Sequence, residues 1–259
     1  MKVLFIGDIV GKAGRHIISI YLPRLKEEHN FDFIIANAEN SAGGFGLTPK
    51  IANQLFSLGI DLLTTGNHVF SKKEIFQILD EDINILRPIN YPIGVPGKGS
   101  LVLNSNGLAL GVINTSGRVF LSNLDCPFRV TKNAADALKK YTKNIIVDMH
   151  SEATSEKVAI GYYLDGKVSA IIGTHTHIQT ADEKILPEGT AYITDVGMTG
   201  PSDSVIGVKK DIAIKRFLTQ MNIRLEVAKG SGYFCGAIIT IDHEKGIATH
   251  IERLQVYIS

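Results

Sequence analysis

The chain is poor in cysteine, has almost no net charge and contains no long apolar run. Its 259 residues include two cysteines, Cys126 and Cys235, which excludes a disulfide scaffold and an all-cysteine metal or iron–sulfur site. A formal net charge of +1 provides no electrostatic footprint for duplex nucleic acid or for an acidic membrane surface. We therefore expect neither of these partners.

Membrane and export signals are also missing from the sequence. No apolar run reaches the ~20 residues that a membrane span requires. The N-terminal run Val3–Ile6 is soon followed by Asp8, which is too early for the core of a signal peptide, at least ~7 residues long. We expect a cytoplasmic protein.

No internal repeat, low-complexity tract or linker-like stretch divides the chain. The length lies between one and two typical domains of ~150 residues. We predict a single domain over residues 1–259. Short runs separated by Asn and Gly after Pro88 leave room for a small inserted lobe around residues 88–130.

The first third of the chain alternates apolar runs with helical patterns, which predicts an α/β fold with a parallel sheet and helices on its faces. The predicted strands are Val3–Ile6, Phe31–Ala36 and Ile60–Thr64, and the predicted helices run from Arg15 to Glu28, from Thr48-Pro49 to Gly59, and onward from a capping box at Ser71 to Glu74.

Shorter strands and one further helix are predicted after Pro88. The strands are Leu101–Leu103, Leu108–Ile113, Val119–Leu121, Ile145–Val147, Val168–Ile172, Phe234–Ile241 and Ile247–Val256, with a hairpin turn at Asn104 to Gly107 and a helix near Ala134–Tyr141.

Polar side chains follow five of these strands at the point where each strand ends. In open α/β sheets, ligands bind beyond the carboxyl ends of the strands. If the five strands are parallel neighbours, two carboxylates, two amides and four of the eight histidines converge at one edge: Asp8, Glu39, Asn40, Asn67, His68, His150, His175 and His177. Such a concentration of polar groups without a purpose would leave costly unpaired donors and acceptors.

Imidazoles, amides and carboxylates without a thiolate suit iron, manganese, zinc or cobalt. The donors exceed what one ion keeps while it leaves room for a substrate, so we predict two ions. Two metals ~3.5–4 Å apart can acidify a water and clamp the oxygens of a phosphoryl displacement. Two divalent ions, two carboxylates and a hydroxide leave a net charge of about +1, which complements a phosphodiester monoanion. His68, beside Asn67, is free to act as general acid.

Three glycine-rich segments have alternative explanations. Gly7 to Ala13 superficially suggests a phosphate loop, but such a loop needs four residues between its glycines and Ser or Thr after the lysine. Gly43-Gly44-Phe45-Gly46 is either a phosphate-cradling nest or a connector. Gly197–Pro201 either lines the site or forms a plain turn, and we favour the first.

These residues resemble the calcineurin-like metallophosphoesterases. More closely, Gly7-Asp8-Ile9-Val10-Gly11 with Arg15, Asn37-Ala38-Glu39-Asn40 and Gly66-Asn67-His68 resemble the YmdB-type bacterial branch, as do His150 and Gly173-Thr174-His175-Thr176-His177. The resemblance spans most of the chain. It implies a four-layer α-β-β-α sandwich, a dinuclear centre of iron, with manganese or zinc as alternatives, and hydrolysis of 2′,3′-cyclic nucleotides such as 2′,3′-cAMP and 2′,3′-cGMP. We also expect a homo-oligomer.

The resemblance also assigns roles. Asp8 and His177 would hold the first metal, Glu39 would bridge both metals, and Asn67, His150 and His175 would hold the second. Asn40 would be a further ligand or a phosphate contact, and His68 would protonate the leaving oxygen. The wider superfamily has Asp-x-His in its first motif, whereas this chain has Val10, so the first metal has one imidazole fewer.

Two rival functions stay open besides a phosphodiesterase. One is a non-catalytic, metal-dependent nucleotide sensor or regulator, and the other is a protein or monoester phosphatase. A pure binder has no need of a proton donor beside the metals, so His68 discriminates between the first two. The shortage of basic residues near the motifs disfavours a dianionic monoester.

Overall fold

The computed structural model describes residues 1–81 and 83–259. In chain order the elements are β1 (Lys2–Ile6), β2 (Asp8–Ile9), α1 (Gly11–Glu28), β3 (Phe33–Asn37), α2 (Pro49–Ser57), β4 (Leu62–Thr64), a 3-10 helix (Lys73–Gln77), β5 (Ile85–Leu86), β6 (Ser100–Ser105), β7 (Leu108–Ser116), α3 (Pro127–Leu138), β8 (Ile145–His150), α4 (Thr154–Leu164), β9 (Ala170–Thr174), β10 (Lys184–Ile185), β11 (Ala191–Ile193), β12 (Met198–Pro201), α5 (Lys210–Thr219), β13 (Gly232–Asp242) and β14 (Ile247–Ile258). Within these residues, no helix combines the length and apolar character needed to cross a bilayer.

The strands form two sheets. The first has the order β2-β12-β13-β1-β3-β4-β5, with β14 paired to β13, and the second has the order β10-β11-β9-β8-β7-β6. Strands β1, β3 and β4 are parallel neighbours in the first sheet, and β7, β8 and β9 are parallel neighbours in the second. Parallel pairing aligns the carboxyl ends of these strands, where the polar motifs begin.

Three apolar layers separate four layers of secondary structure. Alternate residues of β1 point to opposite faces, so Val3 and Phe5 pack between the sheets while Leu4 and Ile6 pack against α1 and α2. On the far side, α3 and α4 cover the outer face of the second sheet. The α-β-β-α sandwich that the resemblance implies is confirmed.

The hairpin turn predicted at Asn104 to Gly107 is present between β6 and β7. Asn106 (φ 49°) and Gly107 (φ 79°) both adopt the left-handed conformation that two-residue hairpin turns of this hand require. The two long closing strands are also present and pair with each other as β13 and β14. The prediction of one domain with a lobe around residues 88–130 stays a prediction.

The capping box predicted at Ser71 and Glu74 does not form. The segment is a 3-10 helix capped by Lys72, without a side-chain capping bond. The hydroxyl of Ser71 lies 3.5 Å from Nδ1 of His68 instead. Ser71 therefore faces the site and not the helix that follows it.

The strand predicted at Val119–Leu121 is wrong. These residues form a turn, with Phe120 at φ 61°. The backbone N–H groups of Arg118 and Val119 donate to the carboxylate of Glu156 on α4, at 3.1 and 3.4 Å. A buried side chain thus replaces a neighbouring strand as their hydrogen-bond partner.

The segment Gly197–Pro201 is neither a plain turn nor part of the cavity wall. Most of it is strand β12, in which Met198 pairs with Asp8 on β2. It therefore supports the backbone of Asp8 from the side.

Candidate metal centre

The polar strand ends come from both sheets, not from one. Strands β1, β3 and β4 bring their ends from the first sheet, and β8 and β9 bring theirs from the second. The expectation that all five are neighbours in one sheet is therefore wrong, but the two sets of ends face each other. Asn37 crosses the gap, because its amide donates to Asp148 Oδ2 at 2.9 Å.

One group of side chains surrounds the buried ring of His150, and we call it the buried group. Nε2 of His150 lies 2.9 Å from Glu39 Oε1, 3.0 Å from Asn67 Oδ1 and 3.0 Å from His175 Nδ1. The side chains of Glu39 and His150 are fully inaccessible to solvent. Glu39, His150 and His175 each offer one ligand atom, and these atoms lie within 4.8 Å of one another.

A second set lies beside it around the amide of Asn40, and we call it the outer group: Asp8, Asn40 and His177. The amide nitrogen of Asn40 is 3.1 Å from His177 Nε2 and 3.5 Å from Asp8 Oδ1. His177 Nε2 lies 3.8 Å from Asp8 Oδ1. The groups touch, because Asn40 also reaches Glu39 Oε1 at 3.4 Å.

His68 completes the set of eight predicted residues, all of which the fold brings together. Its backbone N–H donates to Glu39 Oε2 at 3.1 Å. Its ring lines the cavity in front of the centre. Burial lowers the pKa of His68, and the carboxylate of Glu39 opposes this effect.

Burial and opposite charges shift the pKa values of the buried group in different directions. Burial opposes ionisation of Glu39, but His150 outweighs it and holds the pKa of Glu39 at about 2. Burial also disfavours the charged ring of His150, yet Glu39 and Asp8 raise its pKa to about 9. Burial and then the charge of His150 lower the pKa of His175 to about 3.

The orientation of the His150 ring is set by the residues that contact its Nδ1 atom. Thr174 Oγ1 donates to Asp148 Oδ1 at 2.7 Å, and it lies 2.9 Å from His150 Nδ1. Since the threonine proton points to Asp148, the hydroxyl oxygen accepts from Nδ1–H of His150. This bond directs Nε2 toward Glu39 and Asn67, an arrangement typical of metal-binding histidines.

A buried ion pair supports the loop that carries His175 and His177. Both histidines have positive φ, 94° and 68°. Between them, the backbone and hydroxyl of Thr176 donate to Asp195 Oδ2 at 3.0 and 2.6 Å. Lys157 Nζ bonds the same oxygen at 2.8 Å. Asp195 therefore fixes the one residue that separates two members of the centre.

The sequence analysis missed three residues around the centre: Glu152, Lys157 and Asp195. Glu152 Oε2 lies 3.0 Å from His175 Nε2. Its position two residues after His150 was an available signal. Lys157 carried none, because the sequence does not reveal that it lies on the inner side of α4.

The donor set fits transition-metal ions. Ligand atoms of Glu39, His150 and His175 converge within 4.8 Å of one another, and such ions prefer carboxylate and imidazole ligands. The loop before Asn67 packs tightly against these side chains. A Cβ on Gly66 would lie 2.2 Å from the ring of His150 and 2.4 Å from Glu39 Oε2. Only glycine lets the loop before Asn67 approach this closely.

Comparison with known proteins places the chain in context. The family model described as YmdB-like protein matches residues 4–254. A Bacillus subtilis protein named 2′,3′-cyclic-nucleotide 2′-phosphodiesterase is 49% identical over 256 residues, which covers 99% of this chain and 97% of that protein.

Solved structures agree. A hypothetical protein from Thermus thermophilus has a TM-score of 0.92 at 39% identity and covers 99% of both chains. A structure titled as a novel phosphatase from Mycoplasma pneumoniae has a TM-score of 0.93 at 36% identity, covering 99% of this chain and 93% of that one. A Staphylococcus aureus structure with 5′-nucleotidase in its title shares the fold alone, with a TM-score of 0.63 at 12% identity over 100% of this chain and 55% of that chain. The chain belongs to the YmdB-like family of the metallophosphoesterase fold.

Proposed function

We propose that this protein is a metal-dependent phosphodiesterase that hydrolyses 2′,3′-cyclic nucleotides, including 2′,3′-cAMP and 2′,3′-cGMP. It is a hydrolase, as the 49% identity to the Bacillus subtilis enzyme supports. The observation that carries the proposal is the convergence of Asp8, Glu39, Asn40, Asn67, His150, His175 and His177 beside an open cavity.

The two groups of side chains match a dinuclear centre. Asp8 and His177 of the outer group would hold one ion, Asn67, His150 and His175 of the buried group would hold the other, and Glu39 touches both groups. Asn40 would complete the outer group or contact the phosphate. Iron is the proposed metal, with manganese or zinc as alternatives. Bound ions supply Lewis acidity, which lowers the pKa of water and neutralises phosphate charge.

His68 is the proposed general acid. Its Nδ1 faces the hydroxyl of Ser71, at 3.5 Å, so Nε2 is the atom left to carry a proton into the cavity. In a 2′,3′-cyclic nucleotide, a water-derived hydroxide would form the new bond to phosphorus as the bond between phosphorus and the 2′ oxygen breaks. The 2′ alkoxide that leaves would take the proton of His68. The backbone N–H of His68 donates to Glu39 Oε2 at 3.1 Å, which holds the backbone of His68 beside the centre.

The cavity favours a diester over a monoester. Among its described lining residues there is no lysine or arginine. A dianionic monoester would need such cations to offset its second charge, whereas a cyclic diester carries one charge. This observation disfavours the phosphomonoesterase alternative. A cytoplasmic location and a homo-oligomer stay predictions.

Anaerobic purification followed by metal analysis and a substrate panel tests the proposal. The panel contains 2′,3′-cyclic and 3′,5′-cyclic nucleotides, bis-p-nitrophenyl phosphate and the monoester p-nitrophenyl phosphate. We expect two equivalents of metal and the highest kcat/KM on 2′,3′-cyclic nucleotides. A preparation with two equivalents that binds these nucleotides without turnover would favour the sensor alternative, and one that prefers the monoester would favour a phosphatase.

A further inference from the structure

The cavity in front of the centre has two unlike sides. Its volume is about 250 Å³, and one side consists of members of the centre, including Glu39, His68 and His175. Most of the remaining lining is apolar, and we call it the apolar wall: Val10, Phe45, Ile206, Val208, Leu225 and Val227. The exposed Glu226 also borders the cavity, and its carboxylate pairs with Lys209. A ligand whose phosphate lies at the centre must therefore place an uncharged part against the apolar wall.

Phe45 is the aromatic member of the apolar wall, and it lies next to the proposed proton donor. Its ring contacts the ring of His68 edge to face, with centroids 4.9 Å apart and planes at 73°. The side chain is half-buried, so part of the ring borders the cavity. The group that leaves with a proton from His68 is consequently formed within reach of Phe45.

The glycines around Phe45 fix its position. Gly44 (φ 99°) and Gly46 (φ 79°) adopt conformations that other residues rarely take. A Cβ on Gly44 would lie 2.7 Å from Val227 Cγ2, and one on Gly46 would lie 2.8 Å from Lys72 Cγ. The loop is therefore packed closely on both sides of Phe45, which a mere connector does not require.

The opposite part of the apolar wall is tied to the centre as well. The carbonyl oxygen of Ile206 lies 2.9 Å from Nδ1 of His177. Val208 forms bridges with Val205 and Val227. The wall and the centre are thus parts of one connected structure, and a ligand can contact both without a rearrangement.

We infer that the apolar wall binds the nucleobase of the substrate and that the ring of Phe45 stacks on it. This inference rests on the proposed function. A nucleobase is flat and uncharged at its faces, and stacking on an aromatic side chain is tolerant of base identity. The cavity is slightly smaller than the ~300–1,000 Å³ of drug-sized sites, which suits one nucleotide. Since Phe45 has no hydrogen-bonding group, it should favour substrates that carry a nucleobase over those that lack one, with little selection among the bases.

Two cyclic phosphates that differ only in the base provide the test. They are adenosine 2′,3′-cyclic phosphate and methyl ribofuranoside 2′,3′-cyclic phosphate, measured with the metal-loaded enzyme. The readout is the ratio of their kcat/KM values. Damage to metal loading or to His68 affects both substrates and cancels in this ratio.

We expect the wild-type enzyme to prefer the nucleotide by roughly 10-fold or more, as for aromatic stacking on one base. Phe45→Leu should reduce the ratio by roughly 10-fold, whereas Phe45→Trp should retain it. Leu225→Ser, at a half-exposed position of the apolar wall, should reduce it to a smaller extent. Phe76→Leu is the matched control, because Phe76 is 44% exposed and packs on Phe70 outside the cavity lining.

Hydrolysis of both substrates with a wild-type ratio near one, or a ratio unchanged in Phe45→Leu and Leu225→Ser, would overturn the base site and leave the proposed function standing. Hydrolysis of neither substrate by enzyme with two equivalents of metal would overturn the proposed function, and the base site with it.

Discussion

The buried group and the outer group differ in how firmly their side chains are held. In the buried group, Nε2 of His150 has three neighbours at 2.9–3.0 Å, and its other nitrogen is fixed by Thr174. In the outer group, His177 Nε2 lies 3.8 Å from Asp8 Oδ1, although its Nδ1 also meets the carbonyl oxygen of Ile206 at 2.9 Å. Val10, two residues after Asp8, borders the cavity and offers no ligand atom to the outer group.

This difference predicts unequal metal affinities. Ligands that are already held in place bind a metal tightly, because little conformational freedom is lost and the ring orientation is already correct. The outer group has one imidazole where the buried group has two, and its His177 and Asp8 lie farther apart. We therefore expect a chelator to remove the ion of the outer group first. The variants below either abolish this difference in metal affinity or measure it.

Glu39→Gln should have the largest effect, because Glu39 touches both groups. Loss of its charge removes the carboxylate that would bind both ions, so we expect loss of both equivalents of metal and activity at background. Metal analysis of the anaerobically purified variant checks this. Glu27→Gln, at an exposed position on α1, is the control. Retention of one tightly held ion would show that Glu39 serves one group only.

His150→Ala and His177→Ala form a matched pair across the two groups. We expect activity near background in both variants, but different metal contents at limiting metal. His177→Ala should retain one equivalent, bound by the intact buried group. His150→Ala should retain almost none at limiting metal, because it removes binding by the buried group and leaves only the weaker outer group. The opposite order of retention would reverse the proposed ranking of the two groups.

His68→Ala should lower kcat by about 10²–10⁴-fold, the usual contribution of a general acid. Metal content and binding of a 2′,3′-cyclic nucleotide should stay near wild type, because the side chain belongs to neither group. Parallel measurement of kcat, bound metal and ligand affinity checks this, with His243→Ala as an exposed control. Unchanged kcat would remove His68 from the mechanism.

Asp195→Asn should have the smallest effect on activity, about 10–100-fold, as is typical when an outer partner of metal ligands is lost. Asp195 acts through Thr176, which lies between one member of each group, so both ions should bind more weakly. The variant also leaves Lys157 buried without its partner, which costs roughly 3–5 kcal/mol of stability. Thermal unfolding without metal measures that cost.

The double variant Asp195→Asn with Lys157→Met separates the two roles of this ion pair. It removes the unpaired buried charge, so part of the stability should return while metal affinity stays reduced. If metal affinity recovered together with stability, Asp195 would serve folding alone.

Much of the fold and of the centre was predictable from the sequence because both depend on short-range patterns. Apolar runs such as Val3–Ile6 and Ile145–Val147 lead directly into the polar motifs; β1 ends at Ile6 as predicted, whereas β8 continues to His150. Family and fold were confirmed, since the motifs beginning at Gly7, Asn37 and Gly66 are jointly specific.

The missed elements have long-range causes. Helix α4 carries Glu156 and Lys157 on its buried side, where they bond the backbone of Arg118 and the carboxylate of Asp195. These charged residues interrupt the apolar periodicity by which a helix is predicted from sequence. Helix α5 has Ala213 as its buried residue, so its pattern gives little amphipathic signal. The division of the motif-bearing strands between two sheets likewise depends on pairing partners that are remote in sequence.

The meeting of the two sheets has a consequence for how the holoenzyme is made. The first sheet contributes both carboxylates, and the second contributes the three imidazoles of the two groups, from positions more than a hundred residues away along the chain. A chain with only one sheet formed would offer either the carboxylates or the imidazoles, but not both. Under the proposed function, ion capture therefore follows docking of the two halves, and metal loading becomes a late checkpoint of maturation.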